Sequence, residues 1–304
     1  MKKHKNSSYM LAGKCENVIL NVIFILAAAM SIVPFLLLVM ISLSSEYSLV
    51  TFGYRLIPRQ YSLAAYIFLI SKSNALIRAY IISVLVTVIG TVMSVTITLM
   101  FAYPLSREDF KYRYLFSFVV FFSMIFHGGL IASYMVNTQM LGLKNNLLIY
   151  VVPFLMSSWN VMLMRTFLKT SIPSALVEAA KIDGCGEMQS FWRIIVPLSL
   201  PGIATIALLS GIAIWNDWFT GVLYVTESNK QSLQYMMYKT INDAEYIKKN
   251  MNTIGGNAAS IIRNMPTESA RMAMCVIAIG PIVILYPFLQ KYFIKGMVIG
   301  AIKG

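Results

Sequence analysis

The chain has 304 residues, of which 58% are hydrophobic and only 12% are charged, and its mean hydropathy is +0.70. A soluble domain of this length carries about a quarter charged residues, so this composition excludes an ordinary soluble protein and indicates one that a bilayer covers. The net charge of +13 does not indicate nucleic-acid binding, because the Lys and Arg residues lie between apolar runs, where they orient spans and meet anionic lipid.

The first apolar run, 18–43, follows a basic N-terminus with lysines at positions 2, 3, 5 and 14. It is too long for the apolar core of a signal peptide, so we expect a retained membrane span. A spanning helix needs roughly 20 apolar residues, and six segments meet that requirement: 18–43, 79–105, 114–137, 147–168, 198–223 and 272–294. The sequence therefore predicts an all-α polytopic membrane protein with six transmembrane helices.

The short flanking segments that carry most Lys and Arg favour an orientation with both termini in the cytoplasm. We therefore expect a cytoplasmic N-terminus over 1–17 and a transmembrane domain over 18–304, with a cytoplasmic tail at 295–304. The outer loop 224–271 is rich in Ser, Asn, Lys and Gly and fits an extracellular docking cap or a solvated connector equally well. In the third span, His127-Gly128-Gly129 is either a helix break or a site of close helix packing.

Ionisable groups within the spans are scarce. Asp217 is the one carboxylate clearly inside a predicted span, and His127 is the one histidine at membrane level. An ion-coupled secondary transporter, which is the alternative interpretation, is expected to bury more such groups. The three cysteines show no paired spacing, and the sequence contains no catalytic triad, metal cluster or phosphate-binding G-x-x-x-x-G-K-[ST] motif. We therefore expect neither an enzyme nor a resident cofactor or metal.

The inner segment 169–197 has an organisation of its own. Pro173 suits the first turn of a helix that we expect over Ser174 to Asp183, with Ser171 as its cap. Gly184 and Gly186 permit a tight turn, and we expect a second helix from Glu187 to Val196 that Pro197 stops. These properties alone fit either a knob that docks on another protein or an amphipathic helix in the membrane interface.

The spacing in this segment resembles the EAA loop of ABC importer permeases. Glu178-Ala179-Ala180 is followed after three residues by Gly184, and nine residues later by Ile194-Ile195-Val196-Pro197. The family pattern ends in I-x-L-P, so Val196 is a conservative departure. Segments around Tyr54–Pro58, Ser158–Asn160, Trp215–Phe219 and Lys295–Gly304 extend the resemblance to the MalG-like carbohydrate ABC importer permeases of the oligosaccharide-uptake branch, a group of binding-protein-dependent transport system inner-membrane components.

This resemblance implies an importer subunit that forms half of a path for a sugar or oligosaccharide. It implies contact with a cytoplasmic ATPase through Glu178, Ala179, Ala180, Asp183, Gly184 and Gly186, and through Lys303 and Gly304 in the tail. The implied partners are a second permease subunit in a heterodimer, two ATPase copies that bind the ATP and Mg, and an extracellular substrate-binding lipoprotein.

Sugars present C–H patches rimmed by hydroxyl groups, which aromatic rings and amides recognise. The residues with that chemistry near the membrane are Trp159, Asn160, Trp215, Asn216 and Trp218. Trp215 and Trp218 are three residues apart and would share one face of a helix. The alternative is that these tryptophans anchor the span ends at the membrane interface.

Overall fold

The structure is a computed structural model that describes residues 14–72, 74–249 and 267–301. In these ranges the chain is all-α, as predicted, and the only β-type pairing is one isolated bridge between Ser44 and Tyr61. The helices are α1 Lys14–Ser42, α2 Glu46–Phe52, α3 Ala64–Lys72, α4 Asn74–Ser106, α5 Arg113–Ile125, α6 Gly129–Met135, α7 Ser158–Ser171, α8 Ser174–Ile182, α9 Glu187–Ser190, α10 Val196–Leu198, α11 Leu200–Trp215, α12 Phe219–Tyr224, α13 Leu233–Lys249 and α14 Glu268–Ala301. Shorter turns are the π-helices Val136–Met140 and Phe191–Ile195 and the 3-10 helices Leu147–Tyr150, Val152–Phe154 and Ser228–Lys230.

The chain divides into two compact units. The first comprises residues up to Phe68 together with the start of α14. In it, Ser45 caps α2 by accepting a hydrogen bond from the Ser48 N–H. The Glu46 carboxylate caps α14, since it accepts hydrogen bonds from the N–H groups of Glu268 and Ser269. The side chains of α1 are exposed along most of its length, which suits a helix that lipid or another subunit surrounds.

The second unit is built on α4, α7 and α11, which pack against one another. One cluster joins Leu99 and Ala102 of α4 to Met164 of α7 and Ile206 of α11. A polar chain also links the three helices in the interior. The Asn160 amide donates to Ser210 Oγ at 3.2 Å, and Ser210 Oγ lies 3.2 Å from Ser94 Oγ. Such interhelical hydrogen bonds between small polar residues are a common means of holding membrane helices together.

Two described helical stretches are long and apolar enough to span a membrane by themselves, Glu16–Ser42 and Asn74–Ser106. Three bent pairs bring the number to five if each pair is one span: Arg113–Ile125 with Gly129–Met140, Leu147–Phe154 with Ser158–Ser171, and Glu187–Leu198 with Leu200–Trp215. The count of six spans therefore stays a prediction.

The predicted spans 114–137, 147–168 and 198–223 are not single continuous helices. The first is bent by 111° at Phe126–Gly128, where Gly129 has a φ of +80° that a residue with a Cβ rarely adopts. His127-Gly128-Gly129 is thus a helix break. The second begins as two 3-10 turns around Pro153, which cannot donate a backbone hydrogen bond. The third ends at Trp215, and the Asp217 carboxylate then accepts from the Thr220 N–H at the start of α12.

The outer loop predicted at 224–271 contains more than a connector. Its first half forms α13, which packs on α4, where the Leu233 N–H donates to Ser83 Oγ at 2.8 Å. Gly221 lies so close to α13 that an added Cβ would stand 2.6 Å from the Tyr235 Cβ. Residues 250–266 of the loop lie outside the described residues.

Candidate functional site

The helix α8 ends in a tight, fully bonded turn. The Cys185 N–H donates to the Ala180 carbonyl and the Gly184 N–H donates to the Lys181 carbonyl, a Schellman arrangement that satisfies the last carbonyls of the helix. Gly184 supplies the positive φ, +80°, that this turn requires. Nothing lies within 4 Å of the place where a Cβ would stand on Gly184. The turn is therefore a compact tip with open space around it.

The structure differs from the sequence-based boundaries of this segment in three details. The helix ends at Ile182 and not at Asp183, which is its C-cap. Ser171 does not cap α8, because it is the last residue of α7 and Pro173 occupies the cap position. Pro197 does not stop the second helix, since it lies inside α10, which continues the helical stretch Glu187–Leu198. The chain bends by 78° between Leu198 and Leu200 instead.

The tip presents an apolar and acidic surface. Ile182 is 87% exposed, and Glu178, Ala179 and Asp183 are exposed with it. Gly184 and Gly186 are exposed as well. Ala180 faces the other way and is buried, as is Val177 one turn earlier. The tip therefore offers a mixed apolar and acidic surface that solvent reaches.

Behind the tip, four charged side chains form a closed ring of alternating sign. Arg107 donates to Asp109 through Nε at 2.8 Å and to Glu187 at 2.6 Å. The Lys181 ammonium lies 3.0 Å from the Asp109 carboxylate and 3.3 Å from that of Glu187. Arg107 is the buried member, with its side chain 14% exposed, and it also donates to the Tyr103 hydroxyl at 2.8 Å.

The contacts in the ring stabilise the charged states of Arg107, Asp109 and Lys181. Hydrogen bonds from Arg107 and then Lys181 hold the pKa of the Asp109 carboxyl well below its ordinary value. Hydrogen bonding to Asp109 and then Glu187 raises the pKa of Lys181, and bonding to Asp109 raises the pKa of Arg107. Asp109, Lys181 and Arg107 are therefore charged at neutral pH.

The residues predicted to line a path have different environments. Asn160 is 7% exposed, and its amide donates to Ser210 Oγ. Trp215 is buried, and its indole N–H donates to the Ala278 carbonyl at 2.9 Å. Trp159 is 61% exposed, and Asn216 is exposed at the break after α11. The structure thus separates two buried members of the predicted set from the exposed ones.

The prediction that Trp215 and Trp218 share one face of a helix is wrong, because α11 ends at Trp215 and Trp218 is the N-cap of α12. Trp218 instead stacks on Tyr238 of α13, with ring centroids 4.2 Å apart and an interplanar angle of 19°. Both rings remain partly exposed. Sequence reasoning missed Tyr238, since nothing in the local pattern connects it to Trp218.

Sequence reasoning also missed the ring. Arg107 and Glu187 are 80 positions apart, so no local pattern connects them. Lys303 and Gly304, the predicted contacts in the tail, lie outside the described residues. Among the residues that the structure describes, no group of three or more His, Cys, Asp or Glu side chains could hold a metal ion.

Residues 94–299 match the sequence profile of the family described as "Binding-protein-dependent transport system inner membrane component". The chain belongs to this family. The permease is therefore an inner-membrane transport subunit and not an enzyme, and its family partners are an ATPase and a substrate-binding protein. Family membership supports an ATP-driven importer subunit and not the ion-coupled carrier.

Relatives match over almost the whole permease. It is 34% identical to the polygalacturonan/rhamnogalacturonan transport system permease protein YtcP of Bacillus subtilis, over 91% of this chain and 94% of that one. It is 37% identical to protein LplC of the same organism, over 91% and 90%. Among solved structures it resembles a bacterial ABC transporter involved in the import of the acidic polysaccharide alginate, with a TM-score of 0.80 and 29% identity, over 95% of this chain and all of that one.

Proposed function

We propose that the permease forms half of the translocation path of an ABC importer for a sugar or oligosaccharide, delivered by an external binding protein. The substrate class rests on the relatives, whose names include polygalacturonan and rhamnogalacturonan, melibiose, raffinose and stachyose, and trehalose and maltose. The alginate importer belongs to the same chemical class. The exposed aromatic and amide groups at Trp159, Asn216 and Trp218 supply the chemistry that such a substrate requires.

The observation that carries the mechanism is the exposed tip of α8, which ends in the hydrogen-bonded turn at Gly184. In the proposal, Glu178, Ala179, Ile182, Asp183 and Gly184 seat in a groove of a cytoplasmic ATPase. Ala180 lies on the buried side of the tip and anchors the tip to the rest of the protein. Closure of two ATPase copies around ATP and Mg then moves the tip. This motion reorients the spans, so that the path opens alternately to the two sides. The second half of the path comes from another permease subunit, and both termini lie in the cytoplasm with the tail at 295–304 near the ATPase.

Reconstitution tests this function directly. The permease, its partner permease, the ATPase and the binding protein are placed in proteoliposomes with radiolabelled oligosaccharides of the classes named above. Uptake is expected to require internal ATP and to persist when an ionophore dissipates ion gradients. Uptake that continues without the ATPase, or that collapses with the ionophore, contradicts the proposal.

A further inference from the structure

The charge ring of Arg107, Asp109, Lys181 and Glu187 connects parts of the chain that the backbone does not connect. Arg107 follows the last residue of α4, and Asp109 lies in the connection to α5. Lys181 is in the last turn of α8, and Glu187 begins α9. The stretch that carries α8, α9 and α10 is covalently joined to α7 before it and to α11 after it. The ring, with the Tyr103 hydroxyl 3.5 Å from the Glu187 carboxylate, supplies its polar link to α4.

Lys181 is the member of the ring that meets the tip. It immediately precedes Ile182, the most exposed large apolar residue of the tip, so a displacement of the tip moves Lys181 with it. Lys181 contacts both carboxylates of the ring, and both carboxylates contact Arg107. A displacement of the tip therefore reaches Arg107 by two parallel routes.

Arg107 is positioned to pass the displacement into the membrane. Its guanidinium is the least exposed part of the ring and donates to the hydroxyl of Tyr103, which lies one turn before the end of α4. Tyr103 also packs against Phe191, with ring centroids 5.4 Å apart. Beyond it, α4 is a continuous helix of 33 residues that packs on α7 and α11.

Open space borders the ring on both sides. A cavity of about 580 Å³ lies on the side of Lys169, Pro173 and Glu178, and one of about 400 Å³ lies on the side of Met100, Phe110 and Met188. The charged contacts bridge the region between these cavities, and beside them Val177, Phe191 and Ile195 join the apolar cluster of α4. Exposed ion pairs are individually weak, which suits a joint that must change its geometry in every transport cycle.

We propose that this ring is the joint that makes α4 move with the α8 tip, so that Asp109 and Lys181 are positioning residues for transport. The inference rests on the proposed function of the tip as the ATPase contact. It predicts that breaking the ring leaves the ATPase bound and hydrolysing ATP, while less substrate crosses the membrane for each ATP hydrolysed.

The test measures uptake and ATP hydrolysis in the complete reconstituted transporter. Lys181→Met breaks both routes and is expected to lower the substrate carried per ATP by about fivefold, the lower end of typical coupling effects. Asp109→Asn leaves the route through Glu187 and should lower it by less. The double variant should lower the ratio no further than Lys181→Met alone, because that change already breaks both routes. Lys181→Arg should restore most of the coupling, since a guanidinium can contact both carboxylates.

Matched controls are available beside the ring. Glu108 and Lys169 line the same cavity and form no ion pair among the described residues. Glu108→Gln and Lys169→Met should keep the parent ratio of uptake to ATP hydrolysis. An unchanged ratio in Asp109→Asn and Lys181→Met overturns the inference, as does a parallel fall of uptake and ATP hydrolysis.

Co-purification in mild detergent separates this inference from the proposed function. If the ATPase does not co-purify with the parent permease, the proposed function itself fails. If it co-purifies equally with the parent and with both ring variants while the ratio stays unchanged, only the joint is refuted.

Discussion

Substitutions of Gly184 distinguish a need for backbone freedom from a need for a small tip. At its φ of +80°, a residue with a Cβ costs roughly 1–2 kcal/mol, and Asn or Asp costs less than Ala because each tolerates the left-handed region. Packing within the chain adds nothing, since no atom lies within 4 Å of the new Cβ. Strain alone therefore ranks Gly184→Ala as more harmful than Gly184→Asn.

Docking predicts the opposite order. A larger side chain at the tip collides with the groove of the ATPase, and Gly184→Asp also adds a charge that is desolvated there. We therefore expect stimulated ATP hydrolysis and uptake to fall in the order Ala, Asn, Asp, with Asp abolishing both while the protein remains inserted at parent levels. The assay is uptake and ATP hydrolysis in proteoliposomes containing equal amounts of each variant.

Gly142 provides the matched control. Its φ of +62° imposes the same kind of strain, and it also has no atom within 4 Å of a new Cβ. Gly142→Ala and Gly142→Asn should lower thermal stability as the Gly184 variants do and leave uptake per folded protein unchanged. If the Gly184 variants instead lose uptake in the order of their strain, with Ala below Asn, the docking argument is refuted.

Three further outcomes follow from the packing and the charges. Gly221→Ala should lower the unfolding temperature in detergent by roughly 2–10 °C, because the Tyr235 Cβ at 2.6 Å can move away only with its backbone; a stability equal to that of the parent contradicts this close approach. Asn160→Leu should cost about 1 kcal/mol by removing the bond to Ser210, measured by the same unfolding assay, and an unaltered stability would show that the polar chain holds nothing together. Because the pKa of Asp109 is lowered, its charge contributes to the ring above the ordinary carboxyl pKa of about 4 and is lost only as the pH falls through the lowered pKa. Uptake per ATP should therefore be constant from about pH 5 to 8, and a decline within that range argues against a charged ring.

The sequence predicts the all-α class and the helix–turn–helix of the inner segment 169–197 because both depend on local information. Apolar runs define membrane helices by length and composition. The α8 turn needs a glycine at one backbone position, and Gly184 occupies it. The family resemblance, carried by that spacing, is confirmed by the match over residues 94–299.

The breaks and long-range contacts could not be predicted in this way. A run such as 198–223 is mostly apolar, and hydropathy does not register that the Asp217 carboxylate accepts from the Thr220 N–H at the start of a new helix within it. The stack of Trp218 on Tyr238 and the charge ring depend on the tertiary arrangement of α4, α8 and α13. The exposure of an aromatic residue is likewise a tertiary property, which is why Trp159 and Trp215 share a sequence signal but differ in burial.

Site-specific cross-linking from Ile182 tests the central claim most directly. Ile182→Cys is placed in a variant whose native cysteines Cys15, Cys185 and Cys275 are replaced by serine, and the complete transporter is treated with a short bifunctional maleimide reagent. We predict a covalent product with the ATPase whose yield changes when ATP binds, and no labelling of Ile182→Cys by a membrane-impermeant maleimide in intact cells. Labelling from outside the cell, or no product with the ATPase while the transporter is active, would contradict the account.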